Sequence, residues 1–90
     1  MNERTEEAHV ELLEAIVDAL DLPLPSIAEA DEQLYYQLLE RRTLAVRITI
    51  SANRTVSRDP RLAAATIRRR TAEEPVTYTP FKDEKNGEVR

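Results

Sequence analysis

The chain of ninety residues holds a single glycine, Gly87, close to its C-terminus. A fold built from β-hairpins needs turn signals about every 8–12 residues. The favoured turns place glycine, often as Asn-Gly or Asp-Gly, where φ must be positive. No such dipeptide occurs before Asn86-Gly87. That excludes an all-β fold and leaves helices, whose interiors disfavour glycine.

The helical reading is clearest over residues 3–20. His9, Leu13, Ile16 and Leu20, joined by Leu12 and Val17, recur at spacings of three and four. Glu3, Glu7, Glu11, Glu14 and Asp18 lie on the opposite side. An amphipathic helix is predicted, with the large aliphatic residues turned to the core. Pro23 and Pro25 end it, because each restricts the preceding residue and lacks an N–H donor. Residues 21–25 form a short connection with Leu22 and Leu24 tucked onto the core.

A second helix is predicted over 31–56, with Asp31 as its N-cap. Placed at 100° intervals, Leu34, Leu38, Ala45, Ile48, Ala52 and Val56 share one face. Tyr35, Leu39, Val46 and Ile50 form a strip beside it, and Tyr36, Glu40, Arg47 and Arg54 take the polar side. The alternation from Leu44 to Ile50 also fits a strand, which makes an α+β fold with a short strand at 44–50 the alternative. The only other strand-like run, at 75–81, is confined to an edge by its prolines. The helix is therefore preferred.

Asp59-Pro60 reads as an N-cap followed by a first-turn proline, opening a third helix over 60–72. Ala63, Ala64 and Ala65 would let that helix approach a neighbour closely. Residues 75–81 are then extended, with Tyr78 and Phe81 able to fold back. The expectation is a three-helix bundle forming one domain over 1–81, followed by a flexible polar tail at 82–90.

Charge is segregated along the chain. Residues 1–40 hold eleven acids and one base, a net −10, whereas residues 41–70 hold nine arginines and one acid, a net +8. The remaining residues carry −2, and the whole chain −4. This layout suits contacts with charged partners.

Residue types exclude several chemistries. There is no cysteine and only one histidine, His9. Neither a nucleophile with its base nor a glycine-rich phosphate loop can be assembled. Glu6 and His9 have the Glu-x-x-His spacing of di-metal bundles, but those sites require two such motifs and two further glutamates. No enzyme activity, cofactor or metal is expected. No apolar run approaches the ~20 residues of a membrane span. The acidic N-terminus does not resemble a signal peptide, so a cytoplasmic location is expected.

Three functional expectations follow. The first is a non-enzymatic interaction module, an accessory or adaptor protein, using Glu7, Glu11, Glu14, Asp18, Tyr36, Arg47 and Arg54 to hold a protein partner or a second copy. A homodimer is the simplest closed form. The alternative is a small nucleic-acid-binding regulator that adds Arg58, Arg61, Arg68, Arg69 and Arg70 to the two arginines of the second helix. A third is an inhibitor of a basic protein, acting through the acidic stripe.

Overall fold

The computed structural model describes residues 3–82. Three helices follow in order: α1 (Glu3–Leu20), α2 (Glu29–Ala52) and α3 (Pro60–Glu73), with a π-helical turn at Asn53–Ser57 between the last two. No strand occurs among the described residues. The segment 44–50 lies wholly inside α2, so the strand alternative fails. Of the tail expected at 82–90, residues 83–90 lie outside the described residues.

Ion pairs fix the topology. Arg61 of α3 meets Glu11 of α1, and Arg68 meets Asp18. Both pairs ascend together, so α1 and α3 run parallel and pack directly on each other, with α2 against both. The chain is flat, 47 × 29 × 15 Å. Its Cα radius of gyration is 16.0 Å, where a compact chain of this length would have about 12 Å.

The core face of α1 is rotated from the one predicted, so that of the predicted residues only Leu12 and Ile16 pack against the core cluster. Ala8, Ala15 and Ala19 are buried, whereas Val10, Leu13, Val17 and Leu20 are exposed. His9 is exposed as well. Ala15 and Ala19 join Ala64 and Ile67 of α3 in one cluster, with Leu12, Ile16, Val46 and Ile50 packed around it. Small side chains let the two helix backbones come close, so that Ile67 fills the space between them at 1% exposure. Full burial of such a side chain contributes ~1.5–3 kcal/mol. The alanine expectation for α3 is met by Ala63 and Ala64 but not by Ala65, which is exposed.

On α2 the buried face is centred between the two predicted strips. Leu38 and Arg42 are its buried residues. Leu34, Ile48, Ala52 and Val56, assigned to the core from their angular positions, are exposed. Sequence alone counts Arg42 only as one of the nine arginines of residues 41–70. At 6% exposure, it instead reaches across the bundle. Its Nη1 donates to the Ala19 carbonyl at 2.8 Å, and its Nε and Nη2 donate to the Glu74 carbonyl at 3.2 and 2.7 Å. These carbonyls belong to the C-terminal ends of α1 and α3, where intrahelical donors run out and the helix dipole is negative. Burial pushes the guanidinium pKa down from its ordinary value, opposed by the Glu74 carboxylate.

Helix ends follow local chemistry. The Asp59 carboxylate accepts from the Arg61 N–H at 3.0 Å, and Pro60 occupies the first turn, as predicted. At the end of the π turn, Arg58 takes the left-handed conformation with φ 56°. A chain poor in glycine places an arginine there, although only glycine adopts it freely.

Asp31 does not cap α2, which starts earlier, after Ala28. Its carboxylate holds the C-terminal strap. Oδ2 accepts from the Ser26 hydroxyl at 2.6 Å and Oδ1 from the Thr79 N–H at 3.1 Å. The strap pairs with the α1–α2 connection: the Ser26 N–H donates to the Thr79 carbonyl and the Phe81 N–H to the Leu24 carbonyl. Pro25 and Pro80 form an isolated antiparallel bridge at its centre. Tyr78 is buried as expected and donates its hydroxyl hydrogen to the Pro23 carbonyl. Phe81 and Leu24, both expected against the core, are exposed.

Candidate interaction surface

The acidic stripe of α1 divides into two parts. Glu7, Glu11 and Asp18 face α3. Arg61 lies 2.9 Å from Glu11 and 3.9 Å from Glu7, and Arg68 lies 3.3 Å from Asp18. All of these side chains remain well exposed, so the ladder adds specificity of register more than stability. Glu14 enters no ion pair among the described residues, and neither does Asp21 just beyond the helix.

The basic residues divide in the same way. Arg61 and Arg68 are engaged with α1. Arg47, Arg54, Arg58, Arg69 and Arg70 form no ion pair among the described residues. Arg47 is exposed on α2 and Arg54 is exposed on the π turn that follows it. The structure therefore does not bring them to the acidic stripe. Tyr36 is exposed and meets Tyr35 edge-on at 5.0 Å, and Tyr35 meets Tyr78 at 5.7 Å. Desolvation pushes the Tyr78 hydroxyl pKa up.

Sequence reasoning missed one apolar strip of the surface. Val10, Leu13, Val17 and Leu20 form a strip along the outside of α1, exposed by 52, 61, 61 and 40%. Leu13, Val17 and Leu20 belong to the face that the sequence predicts for the core, because leucine and valine outweigh alanine on any hydrophobicity count, and Val10 lies outside that predicted face. A second apolar region follows the α2–α3 groove. One cleft of about 210 Å³ is lined by residues including Leu44, Ile48, Ile67 and Arg70. A second, of about 230 Å³, shares Ile48 and Arg70 with it and continues past Leu62.

Among the described residues, no group of three or more His, Cys, Asp and Glu side chains could hold a metal ion. No helix there is long and apolar enough to cross a membrane. No protein-family model, curated protein or solved structure matches the chain.

Proposed function

We propose that the chain is a non-enzymatic interaction module that binds another protein, or its own copy, through its outer helical faces. The observation supporting this reading is the outward strip of α1. Four large aliphatic residues stay in water although the same helix has a complete alanine face in the core. Scattered apolar surface residues need no explanation, but a contiguous strip with charged edges marks an interaction site. The flat shape, which leaves the α2–α3 groove open as well, supports the same reading.

Nucleic-acid binding is the second reading, kept because five exposed arginines have no ion-pair partner among the described residues. It is weakened because Arg61 and Arg68 are engaged with Glu11 and Asp18. The test is light scattering of the purified chain, together with affinity capture from its host with and without nuclease. The module reading expects either self-association or a co-purifying protein that survives nuclease and is lost in a Leu13→Ser, Val17→Ser variant. A strict monomer with no such protein overturns it. Capture that nuclease abolishes favours nucleic acid.

A further inference from the structure

We infer that the outward strip of α1 docks a second helix whose own apolar seam is bordered by lysine or arginine. This rests on the interaction-module reading and names the class of partner. Val10, Leu13, Val17 and Leu20 stand at heptad a and d positions, the pattern by which one helix lies along another. Over three turns they present a continuous seam on the side opposite Ala15 and Ala19.

Charge selects the occupant. Glu14, which follows Leu13, stands in the position that borders such a seam, and Asp21 lies just past its end at Leu20. Glu6 extends the seam toward the N-terminus. Glu11 and Asp18, further round the helix on the side that meets α3, are already matched by Arg61 and Arg68. Among the described residues the border carboxylates enter no ion pair, so a helix laid on the seam meets negative charge that α3 leaves unpaired. No lysine or arginine occurs between Arg4 and Arg41. A second α1 placed there would bring carboxylates against carboxylates, and Arg61, the base that shares a cleft with Glu6, Val10 and Glu14, is already held by Glu11 and Glu7. Edge charges of this kind decide partner choice between helices. The seam therefore accepts a basic-flanked helix and rejects its own copy.

The test titrates the full chain with two synthetic amphipathic helices that share the same leucine seam. One carries lysine at the flanking positions and the other glutamate. The expected result is saturable 1:1 binding of the lysine helix, at least tenfold tighter than the glutamate helix and weakened by salt. Val17→Ser should weaken it at least tenfold, with helicity checked by circular dichroism. A Glu14→Lys, Asp21→Lys variant should reverse the preference between the two helices. No binding of the lysine helix overturns the inference. So does binding that survives Val17→Ser, or a preference unchanged by the charge reversal. If the chain still self-associates or keeps a nuclease-resistant partner in any of these cases, the module reading stands and only the assignment to α1 falls.

Discussion

Arg42 donates from Nη1 to the carbonyl oxygen of Ala19 at 2.8 Å, linking the middle of α2 to the last turn of α1. Its other two bonds reach the carbonyl of Glu74, which follows the end of α3. One buried side chain thus ties all three helices together and supplies donors that neither helix end can provide for itself.

Arg42→Ala leaves two carbonyls without their donor and opens a cavity. A cost of ~2–4 kcal/mol is expected. Arg42→Lys keeps the charge but not the planar fork that serves both carbonyls, so it should recover only part of that loss. Urea denaturation of the two variants measures both. A change below about 0.5 kcal/mol for Arg42→Ala, the range of ordinary surface substitutions, would remove Arg42 from its linking role.

The strap should be sensitive to acid through Asp31. Hydrogen bonds from the Ser26 hydroxyl and then the Thr79 N–H hold its carboxyl pKa below the ordinary 3.8. A carboxylate depressed in the folded state contributes stability above its unfolded pKa and loses it as pH falls through the folded value. The stability difference between wild type and Asp31→Asn should therefore be constant at neutral pH. It should shrink only below about pH 4, near the ordinary carboxylate value. A difference that changes around pH 6–7, in the ordinary histidine range, would contradict this.

The α1–α3 seam should respond to volume far more than to charge. Ala15 and Ala64 are 1% and 2% exposed, so Ala64→Leu overpacks the contact and should cost ~1–3 kcal/mol. Arg61→Gln removes exposed pairs and should cost less than about 1 kcal/mol. Thermal denaturation of the two variants ranks them, and the reverse order would mean that the helices are held by their ion pairs.

Arg58 pays a conformational cost in the turn before α3. With φ 56° and ψ 24° it occupies a region that costs a non-glycine residue ~1–2 kcal/mol. Arg58→Gly removes that cost and adds ~0.5–1 kcal/mol of backbone entropy to the unfolded chain. A net stabilisation of up to ~1 kcal/mol is expected, read as a higher urea midpoint. A lower midpoint would mean that the arginine side chain stabilises this turn.

These cases also mark what the sequence could disclose. The ends of α1 and α3, and the cap at Asp59-Pro60, depend on neighbours a few residues away, and they are where the residue pattern puts them. Asp31 resembles a cap in the same local terms, yet its decisive partner, Thr79, is 48 residues distant. Arg42 looks like one base in a basic segment, because the carbonyls that bury it arrive from 23 and 32 residues away. The face of α1 was misjudged for a related reason. Periodicity marks the side with the large aliphatic residues, but only the alanines of α3 decide which side of α1 can pack closely. Of the candidate surface, the acidic stripe and the arginines were legible as types. Which of them neutralise each other was not, since Glu11 and Arg61 are 50 residues apart.

The central claim is that the large aliphatic residues of α1 serve binding while its alanines serve folding. The most direct measurement is urea denaturation of the Leu13→Ser, Val17→Ser variant, run beside its titration with the lysine-flanked helix. Stability within about 0.5 kcal/mol per substitution of wild type, with binding lost, is the predicted result. A loss of ~2–5 kcal/mol per residue, the range for truncated core side chains, would place the strip in the core and contradict the account.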